Sequence, residues 1–176
     1  MRRDYLFLGI ILLLSFFLKV YGINHGLPHH FDYDESLIVE SAMRTGLGDL
    51  TPPHSGWPAS LHKYILFFIY GMYFLLGKLS GMFTSVDDFS TYFLLEPSSF
   101  YLIARLGSVF SGLIVIIVLF FICNKLYNNR VALLSCLLLS STLIFIDLCH
   151  SAKQDVTMVS FLLLSFLSLS LILKTG

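Results

Sequence analysis

Residues 99–123 read SFYLIARLGSVFSGLIVIIVLFFIC, and this stretch decides the fold. Its single charged side chain is Arg105. A helix on the surface of a soluble domain keeps a polar face, and this segment has none. About 20 apolar residues suffice to cross the hydrocarbon core of a bilayer, so the stretch is long enough to span. Working outward, similar apolar runs occupy roughly 5–23, 61–79, 131–149 and 156–173. The expectation is an all-α, polytopic membrane helix bundle, forming one membrane domain over 1–176.

Composition agrees. Hydrophobic residues make up 56% of the chain and charged residues 12%, against about 25% charged in an ordinary soluble domain. Eleven basic and eleven acidic side chains cancel, so no global field draws the chain to nucleic acid. Cys123, Cys136 and Cys149 all lie in apolar runs without a C-x-x-C pair, and they read as packing residues. Met1-Arg2-Arg3 ahead of the apolar run Tyr5 to Val20 has the layout of a signal peptide. The run is long, lacks a small-residue cleavage site and is followed by further apolar segments, so it reads as an uncleaved first membrane helix.

Charge orients the segments. Arg2 and Arg3, Lys125 with Arg130, and Lys174 mark three cytoplasmic ends. The 80–97 connection carries Asp87, Asp88 and Glu96 without a basic residue and reads as external. If 24–60 and 80–97 are both external, the 61–79 run is not a simple crossing. It is expected to be re-entrant or juxtamembrane, with Lys63, Tyr64, Tyr70, Tyr73 and Lys78 near the headgroups.

The long polar segment 24–60 is the first external loop. Within it, Asp34 to Thr45 has the spacing of a short amphipathic helix, with Leu37, Ile38, Ala42 and Met43 on one side. Asp32 and Glu35 resemble a capping box, and Gly46 stands where a left-handed C-terminal residue is expected. Thr51-Pro52-Pro53 and Gly56-Trp57-Pro58 break the chain before the next apolar run.

Two clusters of ionisable groups could carry chemistry. The first is His29-His30-Phe31-Asp32-Tyr33-Asp34-Glu35 at the mouth of the first membrane helix. Acidic residues also favour a helix's first turn by about 0.3–1 kcal/mol for purely structural reasons, so both readings are open. The second is His150-Ser151-Ala152-Lys153-Gln154-Asp155 between two apolar helices. An Asp at the bilayer centre costs on the order of 2.5–3.5 kcal/mol, so Asp155 belongs at a helix end, in a cavity or in a pair. Asp147 either lines the same cavity or pairs with Lys153. Arg105 either snorkels to lipid phosphate or holds a substrate phosphate. His29, His30 and Asp32 are the weak candidates for a divalent metal, because their spacing matches no standard zinc pattern. Beyond that metal, no cofactor is indicated.

The order of these residues resembles the GT-C-fold glycosyltransferases, in particular the protein O-mannosyltransferase and lipid A aminoarabinose transferase families. A first membrane helix leads into Asp34-Glu35, then Glu40 and Gly48-Asp49-Leu50. Trp57-Pro58-Ala59-Ser60-Leu61 resembles a Pro-centred start to a helix ending near Gly77. Arg105-Leu106 and Ala152-Lys153-Gln154-Asp155 follow, the latter similar to a second acidic motif. Ser-Gly-Trp before Pro58 departs from the family pattern. The chain also stops at Gly176, where relatives continue, so a fragment or a partner chain supplying further helices is expected.

The resemblance implies a GT-C-like N-terminal module in a multi-pass membrane protein of the prokaryotic cytoplasmic membrane or the ER. Short juxtamembrane helices are expected in its external loop. It implies an inverting glycosyltransferase using a polyprenyl-phosphate-sugar donor. Asp34 and Glu35 are then the catalytic pair, with Asp34 as general base. Arg105, Lys153, Asp155, Glu40 and His150 bind substrate. The alternative is a non-catalytic membrane subunit that binds lipid-linked sugar or a partner protein.

Overall fold

The computed structural model describes residues 2–27, 33–50 and 60–175. Among them are eight helices and no strand: α1 (Arg2–Val20), α2 (Tyr33–Gly46), α3 (Ser60–Leu79), α4 (Val86–Leu95), α5 (Ser98–Leu126), α6 (Asn129–Ser141), α7 (Leu143–Cys149) and α8 (Asp155–Thr175). The expected all-α membrane architecture is therefore present. Ser98–Leu126 and Asp155–Ile172 are each long and apolar enough to cross a bilayer. The pair α6 and α7, bent by 64° at their junction, adds a third span if the two are one broken helix.

That bend corrects the expectation of one continuous helix over 131–149. The hydroxyls of Ser140, Ser141 and Thr142 turn back onto the carbonyls of Leu137 and Leu138 at 2.7–3.2 Å. Hydroxyls bonded this way compete with the helical ladder and bend it. Thr142 adopts extended backbone, φ −69° and ψ 120°, and α7 starts afresh.

The chain divides into two compact units. One comprises Met1–Ile23, Ser108–Ser151 and Asp155–Gly176. Inside it, Asp4 accepts from the Asn129 amide at 2.7 Å, and Lys19 donates to the Ser140 carbonyl at 3.5 Å, so α1 and α6 run parallel. Tyr5 packs on Phe120 and Phe16 on Phe110, so α1 and α5 run antiparallel. These directions place the end of α1 and the Ser108 end of α5 at one end of the unit. Neither α2 nor α4 is of spanning length.

Lys19 is fully buried in this unit, donating to Ser15 Oγ at 2.7 Å and lying 4.7 Å from the Phe145 ring centroid. Its ammonium thus supplies a donor to a carbonyl at the C-terminal end of α6, where the break leaves carbonyls without helical partners. Gly112 makes room for this packing, since a Cβ there would sit 2.6 Å from Cys149 Sγ.

The second unit comprises Asn24–Gly107 and Ala152–Gln154. Its core joins Ile38, Val39 and Ala42 of α2 to Leu66 and Tyr70 of α3, Phe89 of α4, and Phe100, Tyr101 and Ala104 of α5. Aromatic rings dominate it: Phe83, Phe89 and Phe100 pack edge-on around Tyr73, with centroids 4.9–5.8 Å apart, separations that favour such pairs. The Tyr70 hydroxyl donates to the Phe100 carbonyl at 3.1 Å. α4 within the 80–97 connection was not expected, and an acidic residue of that connection caps it. Ser85 Oγ accepts from Asp88 N–H, and the Asp88 carboxylate accepts from Thr84 N–H at 2.9 Å, a reciprocal cap.

α2 follows its expected amphipathic pattern and buries Ile38, Val39 and Ala42. Its terminator differs from the expected Gly46. That residue is still helical, and the left-handed position is Gly48, φ +95°, with Asp49 N–H donating to the Arg44 carbonyl. The expected capping residue Asp32 and the Trp57-Pro58 segment lie outside the described residues.

Gly77 faces the ring of Phe83, which is buried in the aromatic cluster, and a methyl group there would collide with the ring. Gly77→Ala is therefore expected to destabilise the second unit by about 1–3 kcal/mol through overpacking. A lowered thermal midpoint in detergent would register it, and adding Phe83→Leu to the variant should recover part of the loss.

Candidate active site

Of the charged residues singled out in the sequence, Asp34, Glu35, Arg105 and Lys153 come together in the second unit. Glu35 lies in the first turn of α2 and is 1% exposed. Across from it, Arg105 projects from the first third of α5 and is 6% exposed. Arg105 Nε donates to Glu35 Oε1 at 2.7 Å and Nη2 to Oε2 at 2.8 Å, a two-pronged pair. Its Nη1 donates to the His25 carbonyl at 2.9 Å. Glu35 Oε1 also accepts from the backbone N–H of Ala152 at 2.8 Å.

Four separate pieces of chain meet at this one ion pair: the turn after α1, the start of α2, α5, and the strap between α7 and α8. The planar guanidinium matches a carboxylate in two parallel bonds, which fixes direction as well as distance. Two ions buried together are stable only when such additional bonds satisfy them. Here the His25 carbonyl and the Ala152 N–H supply those bonds.

The network sets the neighbouring residues. Asp34 precedes Glu35 and Lys153 follows Ala152, so fixing Glu35 against Ala152 brings the two together. Lys153 Nζ lies 3.7 Å from Asp34 Oδ2. Both remain open to surroundings, at 24% and 42% side-chain exposure. The acidic pair is thereby divided: Glu35 is held on both oxygens, while Asp34 faces outward beside an ammonium group.

The other sequence candidates lie at known places. Glu40 is exposed on α2. Asp155 opens α8 and is half-buried, and His150 ends α7, half-buried, with its Nε2 atom enclosed and lacking a hydrogen-bond partner among the described residues. Asp147 is exposed on α7 and makes no ion pair among the described residues. His29, His30 and Asp32 lie outside the described residues, and among those described no three potential ligands gather for a metal. Two contributors to the network escaped the sequence reading, the His25 carbonyl and the Ala152 N–H. Backbone groups leave no trace in residue type, and only the position of Ala152 inside a polar strap pointed to it.

The class that the fold defines is a helical membrane protein. Within that class, residues 99–176 match the family model described as dolichyl-phosphate-mannose-protein mannosyltransferase. The match supports the GT-C-like, mannosyltransferase-type resemblance and a glycosyltransferase. It covers Arg105, His150, Lys153 and Asp155. Asp34 and Glu35 lie outside it and are bonded to it through Arg105 and Ala152. No curated protein and no solved structure matches the chain.

Proposed function

We propose that the chain is a multi-pass membrane glycosyltransferase of the inverting type, taking its sugar from a polyprenyl-phosphate donor at the external face. The observation that carries this reading is the Asp34–Lys153 pair held by the Glu35–Arg105–Ala152 network. The family match supports the lipid-linked donor.

In this mechanism Asp34 accepts the proton of an acceptor hydroxyl as the oxygen attacks the anomeric carbon from the face opposite the phosphate. The bond between that carbon and the phosphate oxygen breaks, and its electron pair leaves with the polyprenyl phosphate. A phosphate leaving group needs little protonation, so one carboxylate suffices as general base. Lys153 neutralises the charge gathering on the departing phosphate. Glu35 and Arg105 act as positioning residues, since their hydrogen-bonding groups are engaged with each other and with the strap. Asp155, Glu40 and His150 contribute to substrate binding. A metal held by His29, His30 and Asp32 is not required by these steps. The apolar, lysine-flanked α3 lies at the membrane surface or dips into it, on the same side as the site.

Membranes containing the protein, supplied with a polyprenyl-phosphate mannose donor and a hydroxyl acceptor, should form a product of inverted anomeric configuration. A retained configuration would contradict the single-displacement mechanism. Lys153→Gln is expected to lower kcat more than it raises KM. Its effect on stability should be within about 1 kcal/mol, because a partly exposed ion pair contributes little. An unchanged kcat would remove Lys153 from the phosphate role.

A further inference from the structure

At their C-terminal ends α5 and α8 lie side by side within the first unit. Ser111 meets Thr157 at 3.1 Å, and further along Lys125 donates to both the carbonyl and the hydroxyl of Ser170, so the helices run parallel in steady register. Between them is a groove of about 280 Å³ lined by Phe121, Asn124, Lys125, Leu167 and Leu171. It is graded along the helix axes. Asn124 and Lys125 stand at the end of α5, and Phe121 and Leu167 lie about one turn closer to the middle of the two spans.

The polar rim is electrically unbalanced. An ammonium group has three N–H donors, and Ser170 engages Lys125 with two neutral acceptors. Among the described residues no carboxylate pairs with Lys125, and the Asn124 amide has no hydrogen-bond partner. The acid at this end of the unit, Asp4, accepts from Asn129, while Arg3 and Arg130 are exposed beside it and add positive charge. A cationic rim above an apolar floor, at the end of two spanning helices, matches the layout of a lipid with an anionic headgroup.

We infer that this groove is a binding site for an anionic phospholipid, with the headgroup phosphate on Lys125 and Asn124 and an acyl chain along Phe121 and Leu167. Basic pockets between membrane helices bind anionic headgroups in this way, and each basic side chain near the surface strengthens such binding about five-fold. The inference is independent of the transferase reading, because no residue of the groove belongs to the candidate active site.

The test is native mass spectrometry of the whole chain in detergent, titrated with phosphatidylglycerol or phosphatidylcholine carrying the same acyl chains. Phosphatidylglycerol should be retained about five-fold better, and Lys125→Gln should abolish that preference while Lys125→Arg keeps it. Leu167→Trp, which fills the apolar part of the groove, should weaken retention of both lipids. Equal retention of the two lipids by the unaltered protein would overturn the site, as would an unchanged preference in Lys125→Gln. Displacement of phosphatidylglycerol by millimolar inorganic phosphate would also overturn it, because that marks a site for bare phosphate. Should Lys125→Gln fail to insert, Leu167→Trp decides, since unchanged lipid retention in that variant removes the groove.

Discussion

Asp34→Asn is expected to lower turnover by about 10²–10⁴-fold, the range that general-base help supplies. The amide keeps the shape of the carboxylate and its place in the first turn of α2, but it cannot take a proton from the acceptor. Stability should change little, within about 1 kcal/mol, because Asp34 is partly exposed and its pair with Lys153 is a surface pair. Initial rates measured beside thermal midpoints separate the two effects. A folded Asp34→Asn protein with normal turnover would eliminate Asp34 as the base, and with it the reason for dividing the acidic pair into a reacting and a held member.

The second large effect is structural in origin. Glu35→Ala or Arg105→Ala leaves the partner charge buried and unpaired, which costs about 3–5 kcal/mol. Glu35→Ala also deprives the Ala152 N–H of its acceptor. Replacing both residues with Met removes the stranded charge, so the double variant should be more stable than the sum of the single losses predicts. Contacting residues coupled in one network behave this way. Turnover should nevertheless stay low in the double variant, because the strap carrying Lys153 is no longer tied to α2. Recovery of both stability and turnover would reduce the network to a packing feature. Arg105→Lys should not rescue, since an ammonium cannot reproduce the two parallel bonds.

Much of the fold was legible in the sequence because the bilayer imposes simple demands. The unbroken apolar character of 99–123 specified a spanning helix, and the basic residues Lys125 and Arg130 marked the turn that follows. The expectation that 61–79 is not a simple crossing rests on the charge pattern of the flanking 24–60 and 80–97 segments. The break at Thr142 was not legible. Three consecutive hydroxyl residues inside an apolar run are compatible with a straight span, and only the bonds they make to Leu137 and Leu138 decide for a bend. Likewise Asp87 and Asp88 read as a topological signal, while in the structure Asp88 caps a short helix.

At the site, residue order pointed to Asp34, Glu35, Arg105 and Lys153, and the structure brings these four together. What the order left undetermined is the division of labour. Arg105 could equally have faced a lipid phosphate or a substrate. Its bonds to Glu35 and the His25 carbonyl connect positions 70 and 80 residues apart in the chain, and no local pattern encodes such pairings. Local periodicity fixes which face of a helix is buried, but partner choice between buried ions is settled by tertiary packing.

The proposed transfer of sugar from a lipid-linked donor depends on the carboxylate that the Glu35–Arg105 network leaves exposed. Release of labelled mannose from a polyprenyl-phosphate donor in membranes holding the inserted protein, beside membranes holding equal amounts of Asp34→Asn, tests it most directly. Release with the unaltered protein and its loss in the variant is the predicted result. No release from folded, inserted protein with hydroxyl acceptors of protein, lipid and glycan type would contradict the claim and favour a non-catalytic subunit that binds the lipid-linked sugar.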